Sequence, residues 1–384
     1  MKIVHVISGL EVGGAELMLL RMASCGALAG DNVHVVSLTT TGQLGPEFTN
    51  AGVRVTTLGG CRGRPSVALL QRLVGLLRAE RPTVVQSWMY HSDLLAGVAT
   101  RFVRSPRPPV VWGVRGGFLD WTQTSVLTRL TVHACAIASS QLPAKIVVCS
   151  EVAREFHRQL GYDDSRMILI PNGIDTTRFR PDEDARASTR SELFLPADVV
   201  LIGSAARFHP QKNHKALIRA FAHVHRRRPR THLVLCGTGV NHANTMLLKW
   251  IHEAGVTPAV HLLGLRQDMP RLTAALDLAV CSSTFGEAFP NVLVEAMSCG
   301  VPCVSTEVGD ARAIIGRTGE LVPPHDVDAL ADAILRLIDA GQTGRRQLGA
   351  AARSRAETEY ALELAVRRFN DVHLQVAQTA SEVV

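Results

Sequence analysis

Two glutamates, Glu287 and Glu295, two cations, Arg207 and Lys212, and one histidine, His91, are the residues of this 384-residue chain whose types and settings could do chemistry. Glu287 follows a short apolar run, Leu278 to Cys281, and the polar Ser282, Ser283 and Thr284. That is how a buried parallel strand runs out into a loop. Pro290 suits the first turn of a helix, where its missing N–H costs nothing, and Gly300 with Pro302 ends that helix before a next strand, Val301 to Thr306. Glu287 therefore belongs to a loop and Glu295 to the first turns of the helix behind it. Both are expected to face one crevice, beside unpaired helix N–H groups from Asn291 onward that suit a phosphate.

Two carboxylates could be the acid and base of a glycosidase, but such a pair flanks one scissile bond at about 5 to 9.5 Å and one member needs a raised pKa. A sugar nucleotide fits better. Its ribose and its hexose each present paired hydroxyls that a carboxylate accepts in bidentate fashion, and its diphosphate wants the helix end between them. An ordinary α/β helix with one surface glutamate and one complementing the helix dipole would leave the same pattern. Arg207 and Lys212 lie after a strand, Val199 to Ala205, and before a helix, Ala216 to His225. A forked donor and a point charge beside a helix start make the best diphosphate ligands in the chain; the plain alternative is an exposed basic loop.

These residues need elements to hold them. Lys2 to Ser8 reads as a strand, followed by a glycine turn with Gly9, Gly13 and Gly14 and the apolar helix Leu17 to Met22. Glycines there let backbone N–H groups approach an anion, but the spacing is not that of a nicotinamide-binding fingerprint. Further β-rich runs (Val33 to Leu38, Val53 to Leu58, Val84 to Gln86, Val110 to Val114, Ile146 to Cys149) alternate with helical stretches such as Leu94 to Phe102. Alternation implies parallel, doubly wound sheets, in which ligands sit beyond the strand carboxyl ends. Trp88, His91 and Arg115 fall there. His91 either contacts a sugar hydroxyl and positions an acceptor, or is a capping or core histidine.

The length suits two α/β domains. Eight cysteines without CxxC pairs, several in apolar runs, point to reduced thiols and a cytoplasmic protein. No signal peptide and no 18-residue apolar span is read. The formal charge of +7 would suit nucleic acid, an anionic membrane or an anionic substrate. Aromatics at 5% and the lack of any nucleic-acid motif argue against the first. The helix Ser66 to Arg78, with Arg72, Arg78 and Arg81 nearby, is the candidate for peripheral membrane contact. Asp326-Val327-Asp328 matches a metal-binding spacing, but Asp326 stands where a helix N-cap belongs, and no metal is expected.

The run Gly286-Glu287-Ala288-Phe289-Pro290-Asn291-Val292-Leu293-Val294-Glu295-Ala296-Met297 resembles the E-x7-E signature of the retaining glycosyltransferases of family 4. The resemblance extends over nearly the whole chain. It implies an α/β GT-B fold: two facing Rossmann-like, doubly wound parallel-sheet domains, 1–172 for the acceptor and 173–358 for the nucleotide sugar, joined near Pro171 to Asp175. A C-terminal helix, 359–384, crosses back to the first domain. It implies further that Glu287 holds hydroxyls of the donor sugar and Glu295 the ribose. The main chain of Phe289, Pro290, Asn291, Val292 and Leu293 would contact sugar and phosphates, Arg207 and Lys212 the diphosphate, and Gly14 would lie near the donor phosphate. Val308-Gly309-Asp310 departs from the family's continuation, which often has two glycines and a later glutamate. The expected activity is transfer of a hexosyl or N-acetylhexosaminyl group from a nucleotide-diphosphate sugar to a carbohydrate or lipid-linked acceptor, without cofactor, in the cytoplasm or at the inner face of the membrane. An epimerase or a non-catalytic sugar-nucleotide binder would share the fold.

Overall fold

The β-branched runs fall into two parallel sheets in the computed structural model, which describes residues 1–25, 32–61, 66–122, 124–196 and 198–382. The first sheet contains β1 (Ile3–Ile7), β2 (Val33–Ser37), β3 (Arg54–Thr57), β4 (Val84–Trp88), β5 (Val110–Val114), β6 (Lys145–Val148) and β7 (Met167–Leu169), in the order β3-β2-β1-β4-β5-β6-β7. The second contains β8 (Val200–Ala205), β9 (Thr231–Cys236), β10 (Val260–Leu262), β11 (Leu278–Cys281), β12 (Cys303–Thr306) and β13 (Gly319–Val322), in the order β10-β9-β8-β11-β12-β13. Strands β1, β2, β4 and β5 are buried along their whole length, as strands covered by helices on both faces must be, whereas the edge strand β3 is open.

The chain divides into two compact units, Met1–Gly173 with Leu362–Val384, and Ile174–Ala361. The second unit closes on itself where Ile174 donates its N–H to the Tyr360 carbonyl at 2.9 Å and bridges Ala361. This pairing separates the helix Gly341–Glu359 from the last helix, which starts at Leu362 and not at residue 359. It runs Leu362–Glu382 and buries Leu362, Ala365, Val366, Phe369, Val372, His373 and Val376, an apolar stripe at helical spacing, against the first unit. Phe369 packs on Trp88 at 5.8 Å, and His373 Nε2 meets Gln86 Oε1 at 3.0 Å.

Two expectations need correction, the start of the helix after β4 and the place of Trp88. The helix after β4 begins at Tyr90, four residues before the apolar run that suggested Leu94. Met89 turns the chain at φ 71, and the polar residues that read as loop are buried and bonded: Ser87 Oγ donates to Asp93 Oδ1 at 2.6 Å. Trp88, expected at a ligand, is buried in the core and donates Nε1–H to His5 Nδ1 at 3.2 Å. The helix proposed for membrane contact, Val67–Glu80, turns Leu69, Leu73, Val74 and Leu77 inward. Its Arg72 and Arg78 donate to the carbonyls of Leu58 and Phe102.

Candidate active site

Both sheets are doubly wound, so each has one place where the strand order reverses and a crevice opens beyond the carboxyl ends. In the second unit that place lies between the paired strands β8 and β11. The loop after β8 carries Arg207 and Lys212, and the loop after β11 carries Glu287. Strand order alone therefore brings together residues 75 positions apart: the Lys212 ammonium forms an ion pair with Glu287 Oε1.

Glu287 is held from a second side. Ser283 Oγ donates to the same oxygen at 2.6 Å. The two loops are also fastened to each other, since Ser282 Oγ donates to the Lys212 carbonyl at 2.8 Å and the Thr284 N–H to the Gln211 carbonyl at 2.9 Å. Beneath them, Thr306 Oγ1 donates to the Ser283 carbonyl. Gly309, at φ +60, lies so close that an added Cβ would be 2.7 Å from the Glu287 carbonyl oxygen, and the Asp310 N–H donates to the Ala288 carbonyl at 3.0 Å. Only glycine allows that approach in that conformation.

Lys212 ends a short 3-10 turn, Pro210–Lys212, and Asn213, at φ 49, caps the helix His214–Arg227 behind it. The adjoining His214 is buried, and burial together with the Lys212 charge lowers its pKa to about 4. Arg207 is exposed, and its side chain makes no hydrogen bond or ion pair with the described residues. The helix carrying Glu295 runs Asn291–Ser298. Pro290 is its cap and not its first residue, because at ψ 89 it has not entered the helical region, and no side chain caps the helix. Phe289 is buried against Tyr360 at 5.6 Å, Leu293 is buried, and Asn291 and Val292 are half-buried at the helix start. Glu295 is half-buried one turn further on. Burial and then the Glu295 charge push the Cys299 thiol up to about 12.

The first unit repeats the pattern at its own reversal point, between β1 and β4. Gly14 opens the helix Gly14–Ser24 after β1; the helix has no side-chain cap, and a Cβ on Gly14 would meet nothing within 4 Å. His91 is the second residue of the helix Tyr90–Arg101 after β4, half-buried, with Nε2 enclosed and without a hydrogen-bond partner among the described residues; burial lowers its pKa. Ser8 Oγ and Ser92 Oγ, 3.0 Å apart, link the two loops. Arg115, past the end of β5, is structural: its guanidinium lies 5.1 Å from the ring centres of both Trp88 and Phe369 and donates to the Ile170 carbonyl and Asn172 Oδ1.

Ser283 was missed from the sequence. Its only signal was a hydroxyl four residues before Glu287 in a loop leaving a strand. Asp326 is the helix N-cap that was expected, with Oδ1 accepting from the Ala329 N–H at 2.8 Å.

Residues 12–178 match the family model Glycosyltransferase Family 4, and residues 198–340 match Glycosyl transferases group 1. The putative glycosyltransferase EpsF of Bacillus subtilis (strain 168) is 27% identical over 364 residues, 90% of this chain and 89% of that protein. The D-inositol 3-phosphate glycosyltransferase of Mycobacterium tuberculosis (strain F11) is 33% identical over 220 residues, 55% of this chain and 44% of that protein. Among solved structures, Anabaena Alr3699/HepE in complex with UDP superposes with a TM-score of 0.85 at 22% identity, covering 97% of this chain and 99% of that one. WaaG, a glycosyltransferase involved in lipopolysaccharide biosynthesis, gives 0.68 at 17% identity, covering 95% and 98%. The chain is a glycosyltransferase of GT-B fold, built from a Glycosyltransferase Family 4 domain followed by a Glycosyl transferases group 1 domain.

Proposed function

We propose that this glycosyltransferase is a retaining enzyme that moves a hexosyl or N-acetylhexosaminyl group from a nucleotide-diphosphate sugar to a carbohydrate or lipid-linked acceptor of polysaccharide synthesis. One observation carries the reading: Lys212 and Ser283 converge on one oxygen of Glu287 at the reversal point of the second sheet. A cation that neutralises a departing diphosphate and a carboxylate that orders sugar hydroxyls are thereby set side by side. The solved HepE structures contain UDP and UDP-glucose, which supports the same donor class for this chain.

In the proposed reaction the bond from the anomeric carbon to the diphosphate oxygen breaks, and a bond to the acceptor oxygen forms on the same face. The acceptor proton passes to the departing phosphate. Arg207, Lys212 and the uncapped helix at Asn291 stabilise the charge that develops on the diphosphate. Glu287 holds the sugar, Glu295 the ribose, and the main chain of Phe289 to Leu293 spans the two. Gly14 leaves room for a phosphate, and His91 helps to position the acceptor on the first unit. The proposal has no metal in it and places the enzyme in the cytoplasm, at the inner face of the membrane where the acceptor is lipid-linked.

The test is incubation with a panel of nucleotide sugars, mass spectrometry for released nucleotide, and NMR of the new glycosidic linkage. Free nucleotide with an anomer unchanged from the donor is expected. An inverted anomer would remove the retaining assignment, and an isomerised donor without release would make the protein an epimerase.

A further inference from the structure

One cavity of the first unit lies away from that unit's reversal point. It occupies about 740 Å3 at the amino ends of β5 and β6, the opposite edge of the sheet from Gly14 and His91. Four cations line it: Arg101, Arg104, Arg107 and Lys145. Arg101 spends one Nη on the Gln141 carbonyl at 2.5 Å, whereas the side chains of Arg104, Arg107 and Lys145 form no hydrogen bond or ion pair with the described residues. Among the described residues no carboxylate lines the space. Like charges gathered in a concave surface without counter-charge repel each other and raise the local positive potential, which an anion relieves.

The rest of the lining narrows the choice of anion. Phe102, more than half exposed, and the buried Val376 give the cavity an apolar wall, and Gln375 and Thr379 add neutral polar groups. The size is that of a small-molecule site. Arginine forks match phosphate oxygens in pairs, while an apolar wall has no use for a bare ion. We propose that this cavity is a second ligand site, for a phosphate or diphosphate group attached to an apolar moiety, separate from the proposed donor site. Gln375, Val376 and Thr379 belong to the helix Leu362–Glu382, whereas the cations come from elsewhere in the first unit. A bound phosphate compound therefore fastens that helix in place.

Pyrophosphate is the probe, titrated by calorimetry into the full chain carrying Arg207→Ala and Lys212→Ala, so that the proposed donor subsite does not contribute. The same chain with Arg104→Ser and Arg107→Ser added is the comparison; both arginines are exposed, and circular dichroism checks that the fold is kept. Binding in the first chain, weakened at least about tenfold in the second, is the expected result. Co-sedimentation of the unsubstituted chain with phosphatidylcholine vesicles, with and without phosphatidic acid, identifies the source of the phosphate. Retention that needs phosphatidic acid and is lost on Arg104→Ser and Arg107→Ser assigns a lipid headgroup; pyrophosphate binding without retention assigns a soluble phosphate compound. The proposal is overturned if neither probe binds, or if whatever binds is indifferent to the two serine substitutions.

Discussion

Glu295, Lys212 and Ser283 stand in different relations to the reacting atoms, and that orders the expected kinetics. The ribose does not change during transfer, so Glu295→Ala should remove uniform binding and raise KM more than it lowers kcat. Lys212 and Arg207 act on charge that grows in the transition state. Alanine at either should lower kcat by roughly 10²-fold or more, the scale of losing one preorganised charge donor. Lys212→Ala carries a second cost, because it leaves the Glu287 carboxylate with Ser283 as its one side-chain partner among the described residues. Ser283→Ala removes a hydrogen bond to a charged group, worth about 1.5 kcal/mol, and should lower kcat/KM about tenfold while lowering the thermal midpoint by only a few degrees. Steady-state kinetics on folded variants decides these; a Lys212→Ala enzyme altered in KM alone would mean that its charge does not act on the leaving group.

At the scale of elements, the loop with Glu287 is placed by backbone approach and the last helix by one arginine. Gly309→Ala puts a Cβ 2.7 Å from the Glu287 carbonyl oxygen in a left-handed conformation, at a cost of about 1 to 2 kcal/mol. Activity should fall much further than stability, since the displaced segment is the one that carries the carboxylate; unchanged turnover in this variant would show that the loop's position is not critical. Arg115→Met keeps bulk but loses two hydrogen bonds and its stacking between Trp88 and Phe369. Amide hydrogen exchange in Leu362–Glu382 should accelerate, reflecting weakened docking by about 2 kcal/mol. Protection that stays at the unsubstituted level would mean that the apolar stripe alone holds the helix.

For the whole molecule the buried histidines set the acid limit. Burial lowers His5 to about 3, and His157, His214 and His373 to about 4, from an ordinary 6.5. Between pH 6.5 and 4 the unfolded chain binds protons at these rings and the native chain does not, so stability is full above 6.5 and falls as the pH falls. Asp93 opposes this. Burial raises it from 3.8 to about 7, so its contribution is full below 3.8 and is lost as the pH rises toward 7. Four imidazoles outweigh one carboxyl, and the thermal midpoint should drop steadily from pH 7 to 4.5. A flat midpoint over that range would mean that the four rings are not held neutral.

Local signals were enough for the two parallel α/β halves, because strands of this kind are short β-branched runs and their pattern needs no knowledge of neighbours. They were also enough to single out Glu287, Arg207 and Lys212 in loops after strands and Glu295 on the helix that follows, since types and positions of this kind are written in the chain. Strand order was not legible, since nothing local says that β8 lies beside β11 rather than β10. That order, set by which sheet faces the helices can bury together, is what joins Lys212 to Glu287 across 75 positions and gives Ser283 its role. For the same reason Trp88, which ends its strand, and Arg115, which follows one, proved to serve a helix more than 250 residues away. Only folding decides whether a polar or aromatic group at a strand end meets solvent or the returning chain.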